Sequence, residues 1–61
     1  MSQLSEKELS ALNELLNEED LLVKKFKMLA ERAQDAQIKS SFTEISNKHQ
    51  GHFNDLYSHF N

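Results

Sequence analysis

The fold is decided by the stretch Phe42-Thr-Glu-Ile-Ser-Asn-Lys-His-Gln-Gly-His-Phe-Asn-Asp-Leu56. At the three- and four-residue spacing of a helix, one stripe of this stretch carries Phe42, Ile45, His49, His52 and Leu56. Two imidazoles therefore stand where a helical core ordinarily has Leu or Ile. Because His49 and His52 are three residues apart, they lie one turn apart on the same face and can reach a common partner.

The composition of the chain indicates a single small all-α domain, residues 1–61. Among its 61 residues there is no Cys, no Pro and one Gly, which leaves little turn chemistry for an all-β fold and excludes disulfides and thiolate metal sites. Leu, Glu, Lys, Gln and Ala, which are strong helix formers, are abundant. A chain of this length is near the lower limit of independent stability. It therefore requires tight packing, a bound metal or self-association.

The first helix is predicted over about residues 6–33. Ser5-Glu-Lys-Glu8 has the pattern of a capping box, in which the Ser hydroxyl and the Glu carboxylate each bond a backbone amide of the first turn. Neither Gly nor Pro interrupts the residues that follow. The three- and four-residue spacing continues through Leu9, Leu12, Leu15/Leu16, Glu19, Leu22/Val23, Phe26, Leu29/Ala30 and Ala33.

The second helix is predicted over about residues 36–60, with Asp35 as its N-cap. The connection between the helices is so short that they must run antiparallel as a hairpin. A lone hairpin would leave most of both apolar stripes in water. We therefore expect a homodimer in which two hairpins form a four-helix bundle about a two-fold axis. The alternatives are that the chain is part of a longer bundle or that it is a monomeric hairpin.

Folding the hairpin about residue 34 places a carboxylate beside the two histidines. Glu19, on the core stripe of the first helix, comes level with His52, and Leu22 approaches His49. Glu19, His49 and His52 form a candidate metal site for Zn, Fe or Mn, because bundle metal sites are built from side chains on facing helices. There are two alternatives: a buried polar layer without metal, or a position of His49 near a partly hydrated dimer interface. Glu18 or Asp20, which flank Glu19 in the sequence, takes its place if the register is shifted.

Several classes of function are disfavoured. The net charge of −3 argues against a nucleic-acid partner, and the longest apolar run, Leu21-Leu22-Val23, is too short to span a bilayer. The N-terminus has no pattern of a secretory signal, so synthesis in the cytoplasm is expected. We find no nucleophile motif, phosphate loop or HExxH, and we expect no enzymatic activity.

The whole pattern resembles a known family. Ser5-Glu-Lys-Glu8, Glu18/Glu19, Leu-Leu-Val-Lys-Lys-Phe26-Lys, Asp35, Ile38-Lys39 and Ile45-x-x-x-His49-x-x-His52 are similar to the small coat-F-like spore-coat proteins of Bacillus and Clostridium relatives, in the ferritin-like superfamily. The resemblance implies a ferritin-like four-helix bundle. In the di-iron members of this superfamily, a glutamate of the first helix bridges the metal ions and a Glu-x-x-His motif of the second helix binds them. Here Glu19 matches the bridging glutamate and His52 the motif histidine, whereas His49 replaces the motif glutamate, which disfavours oxidative di-iron chemistry.

The sequence supports three hypotheses for function. The first is a non-catalytic, homodimeric structural protein resembling spore-coat components, with other coat proteins as partners and the spore coat as its location. The second is a metal-binding ferritin-like protein whose site is Glu19, His49 and His52. The third is a small helical interaction or regulatory module.

Overall fold

A computed structural model describes residues 4–60, which form two long helices packed against each other as a hairpin. Helix α1 spans Glu6–Arg32 and helix α2 spans Ala36–Tyr57, followed by a 3-10 helix, Ser58–Phe60. The molecule is a flat rod with Cα extents of 46 × 17 × 10 Å. The prediction of an all-α hairpin is confirmed. No helix within residues 4–60 is both long and apolar enough to cross a bilayer.

The helix ends follow the cap signals of the sequence. The Ser5 Oγ accepts from the Glu8 amide at 3.1 Å, and Glu8 Oε1 accepts from the Ser5 amide at 2.9 Å, which completes the capping box. Asp35 Oδ1 accepts from the Ile38 amide at 2.9 Å and caps α2. Helix α1 ends one residue before the expected position because the backbone of Ala33 is extended. The last three residues expected in the second helix form the 3-10 turn instead.

The contact between the helices is a narrow row of mostly small side chains. On α1 the buried residues are Leu16, Val23 and Ala30, at seven-residue spacing, and on α2 the buried residue is Ser46. Ser46 is 2 % exposed, and its Oγ donates to the backbone carbonyl oxygen of Val23 at 3.0 Å. A hydroxyl that bonds the facing backbone requires the two helix axes to lie close together.

The hairpin has two unlike faces, one on each side of this buried row. Residues that directly follow a buried residue, Glu31 and Asn47, line one groove on a polar face together with Lys27, Lys39 and Thr43. Residues that directly precede a buried residue therefore share the opposite side, since consecutive helical residues point about 100° apart. We call this side the apolar face; its members, half-exposed or exposed, are Leu15, Leu22, Leu29 and Ile45, together with Ile38, which lies seven residues before Ile45.

The close contact at Ser46 predicts that a larger side chain will not fit there. We expect Ser46→Leu to lower the free energy of unfolding by about 1–3 kcal/mol, because the added carbons must force the helices apart. Chemical denaturation followed by circular dichroism measures this change. Ser41→Leu, an exposed position of the same helix, is the matched control and should change stability by less than about 0.5 kcal/mol. Equal effects at both positions would contradict the close contact.

The capping box predicts a small dependence of stability on acid. The Ser5 backbone N–H, and then its hydroxyl, lower the pKa of Glu8 below its ordinary value of 4.5, because both interactions favour the carboxylate. The contribution of Glu8 to the free energy of unfolding is therefore fully present above pH 4.5. It is lost as the pH falls through the lowered pKa of the folded state. Glu8→Gln removes this titration, so the stability difference between wild type and variant should shrink on acidification. Denaturation curves at neutral and acidic pH test this, and a constant difference would contradict it.

Candidate functional site

Glu19 lies at the contact between the helices because of its place in the buried row of α1. It stands three residues after Leu16 and four before Val23, both of which face α2. Its side chain is only 18 % exposed. A carboxylate at this depth needs hydrogen-bond partners, and α2 supplies them.

Two imidazoles of α2 contact the Glu19 carboxylate. The His49 Nδ1 lies 2.6 Å from Glu19 Oε1, and the His52 Nδ1 lies 3.5 Å from Glu19 Oε2. Because an ionised carboxylate can only accept, the His49 Nδ1–H donates in the short hydrogen bond. The two rings differ in burial: the side chain of His49 is 22 % exposed and that of His52 is 58 % exposed.

Aromatic contacts orient the more buried imidazole. The ring of Phe26 stacks on His49 with centroids 5.9 Å apart and planes inclined by 20°, and it meets Phe42 at the same centroid distance. The His52 ring meets His49 edge-on at 5.5 Å. His49 is thus held between a carboxylate, a phenyl ring and a second imidazole, while His52 has an open side towards solvent.

The choice between Glu18 and Glu19, which the sequence left open, is settled by the orientation of α1. Glu19 faces the histidines, whereas Glu18 is exposed and lines a surface groove with Leu21, Leu22 and Lys25. The expected register of Glu19 with His52 is correct to within one turn, since the carboxylate lies between His52 and His49 and is closer to His49. Phe26 contacts Phe42 and His49, which lie about one turn to either side of Ile45.

Gly51 directly precedes His52 and does not mark a close approach of backbones. A Cβ at this position would have no atom within 4 Å, and the backbone has ordinary helical geometry. The glycine therefore leaves the outer side of α2 uncovered beside the more exposed histidine. It does not shape the site.

The three side chains form a set that can hold a metal ion. One ligand atom from each of Glu19, His49 and His52 can be chosen so that all three lie within 4.8 Å of one another. Within residues 4–60 no other group of three or more His, Asp or Glu side chains is gathered in this way. Without an ion, the same groups form a polar layer between the helices. The predicted residues are thus brought together, and metal binding itself stays a prediction.

Ser46 is the residue of this region that the sequence reasoning missed. It lies one turn before His49, and it belongs to none of the apolar positions from which the stripe was read. Its signal in the sequence is weak, since a small polar residue next to Ile45 is equally typical of an exposed position. Its burial depends on the facing carbonyl of Val23, which only the three-dimensional structure reveals.

Comparison with known proteins yields no match: no protein-family model, no curated protein and no solved structure is significantly similar to the chain. The resemblance to coat-F-like proteins and the ferritin-like superfamily therefore remains a prediction based on the sequence motifs.

The unequal burial of neighbouring glutamates predicts a difference in their contributions to stability. Glu19→Ala should lower the free energy of unfolding by about 1–3 kcal/mol, because the partly buried His49 Nδ1–H loses its charged acceptor. Glu18→Ala, one residue away in the same helix, should change it by less than about 0.5 kcal/mol. Both values come from urea denaturation at neutral pH in the presence of a chelator. A cost that is the same at both positions would exclude the pairing as a source of stability.

Proposed function

We propose that the chain is a non-catalytic structural module whose two copies pack through their apolar faces into a homodimeric four-helix bundle. The observation that carries the proposal is the very small core of the single hairpin. Among residues 4–60, the buried apolar side chains are Leu16, Val23 and Ala30, while larger side chains remain half-exposed or exposed. Covering them is the main way in which this chain can gain further stability.

The solvent-accessible area of the chain supports the same proposal, because it is larger than that of a compact monomer of equal mass. The whole chain exposes 4953 Å², whereas a compact monomer of 7.1 kDa exposes about 4,100 Å². The excess is on the order of 800 Å², which is the area that one partner buries in a standard protein interface. A second copy offers the matching surface without any further assumption, because a two-fold dimer brings the same face of both chains together.

The arrangement of side chains favours the apolar face as the interface. Leu15, Leu22 and Leu29 form a row at seven-residue spacing on α1, and Ile38 and Ile45 begin a row of the same spacing on α2. Rows with this period are typical of bundle seams. His52 continues the second row, so the pairing of two copies brings the polar cluster near the centre of the bundle. The opposite face carries the charged residues Lys27, Glu31 and Lys39, which are favourable in contact with solvent.

This surface and the sequence motifs support the proposal of a structural role in an assembly. The resemblance to small spore-coat proteins supports a place in the spore coat, with other coat proteins as neighbours in the assembly. The acidic net charge of −3 disfavours a nucleic-acid partner. The third hypothesis, an interaction module for a different helical protein, uses the same face and is separated from self-association by the mass of the purified chain.

Two adjacent leucines allow a matched test of the dimer. Leu22 lies on the apolar face, whereas Leu21 is 66 % exposed on the outer side of α1. Leu22→Gln should raise the dimer dissociation constant by about 100-fold or more, since burying a leucine contributes about 1.5–3 kcal/mol and the dimer contains two copies. Leu21→Gln should leave it within about fivefold, as expected for a surface change within about 0.5 kcal/mol in each of the two copies. Sedimentation equilibrium over a range of concentrations gives both constants.

Three outcomes of this test are informative. A wild-type mass of two chains with a selective effect of Leu22→Gln supports the bundle. A wild-type chain that remains monomeric at every concentration overturns self-association and leaves a different helical partner, or a further part of a longer chain, to cover the face. Equal effects of the two substitutions would place the interface elsewhere.

A further inference from the structure

The three side chains at the centre of the hairpin form a ligand set that spans both helices. Glu19 comes from α1, and His49 and His52 come from α2. We propose that this set binds one divalent ion of the Zn²⁺ class per chain, and that the ion joins α1 to α2. The proposal does not rest on the homodimer, because all three ligands belong to one chain.

The donor atoms select the class of ion. Two imidazole nitrogens and one carboxylate oxygen suit Zn²⁺ and similar transition-metal ions, whereas Ca²⁺ and Mg²⁺ require sets of oxygen ligands. Two neutral imidazoles and a carboxylate carry a net charge of −1, which attracts a divalent cation into a site whose Glu19 side chain is only 18 % exposed.

The ligand atoms, one from each side chain, lie within 4.8 Å of one another, so some must move closer by up to about 1.5 Å to receive an ion. Ligand atoms about 2.1 Å from a tetrahedral ion lie roughly 3.3–3.5 Å from one another. The distance of 3.5 Å between His52 Nδ1 and Glu19 Oε2 already meets this requirement. The 2.6 Å between His49 Nδ1 and Glu19 Oε1 must lengthen by less than about 1 Å. As the ion enters, Nδ1 of His49 loses its proton, and the neutral ring carries one on Nε2 instead.

The two histidines have different parts in this site. The stacked ring of Phe26, 5.9 Å away, keeps His49 in place before an ion arrives. In the single hairpin His52 is 58 % exposed, so its side chain can rotate to complete the coordination. Three protein ligands leave a fourth position of a tetrahedral ion to water.

An ion held in this way acts as a link between two helices that share a small core. It binds the folded hairpin, in which the three ligands meet, and has no preformed site in the unfolded chain. Binding must therefore raise the stability of the fold in proportion to the logarithm of the free ion concentration. A polar layer without metal affinity has no such dependence, so the two interpretations of the cluster are separable.

The test titrates the chelator-treated full chain with Co²⁺, which reports its coordination by visible absorption, and with Zn²⁺ in competition. We expect saturation at one ion per chain, an intense tetrahedral Co²⁺ spectrum and a higher thermal midpoint on saturation. His52→Gln should weaken the affinity by about tenfold or more. His52 is 58 % exposed in the single hairpin, so this variant keeps the helical hairpin, as circular dichroism would verify. His59→Gln, an exposed histidine seven residues later, is the matched control and should bind as the wild type does.

The remaining outcomes overturn the proposal. Absence of saturable Co²⁺ binding, or equal weakening by His52→Gln and His59→Gln, would mean that the cluster is a polar layer and that any bound ion is adventitious. Light scattering of the same samples keeps this result separate from the proposed dimer. One ion bound to a monomer would support the metal site while overturning the dimer, and a metal-free dimer would do the reverse.

Discussion

The hydrogen bond from the Ser46 hydroxyl to the Val23 carbonyl oxygen holds α1 and α2 at the distance on which their other contacts depend. Glu19 lies one turn before Val23, and His49 lies one turn after Ser46. Because the helices are antiparallel, these two residues meet on one side of the hydrogen bond. Phe26 and Phe42 lie one turn away in the other direction and meet there. One contact between a small side chain and the backbone therefore aligns both the polar cluster and the aromatic cluster.

The same contact separates the two faces of the hairpin. With Val23 and Ser46 turned towards each other, Leu22 and Ile45 point to one side, and the residues that follow the buried positions point to the other. A hairpin joined by larger side chains would have a wider core and bury more of its own apolar surface. Here the row is narrow, so a large share of the hydrophobic side chains is half-exposed or exposed. The small core and the proposed self-association have the same structural cause.

Much of this architecture was predictable from the sequence, for local reasons. The capping box at Ser5 and the Asp35 cap depend on residues within one turn, and the apolar spacing indicates two helices without reference to any partner. The pairing of Glu19 with the histidines followed from counting back from the turn. Such counting is accurate only to about one turn, so it could not decide which imidazole is nearer. Ser46 was not predictable, because its burial depends on a carbonyl 23 residues away in the chain and not on its own hydrophobicity.

The order of contacts along the hairpin has a consequence for the way in which the chain folds. The Ser46–Val23 bond closes a shorter stretch of chain than the Glu19–His49 bond, with separations of 23 and 30 residues. Closing the shorter loop costs less conformational entropy, and the longer one then requires only one more turn of each helix. We expect the contacts between the helices to form in order, starting near Asp35 and proceeding away from the turn. Helical proteins have a low contact order, so we expect fast folding. On this order of contacts, the polar cluster forms after the contact between Ser46 and Val23.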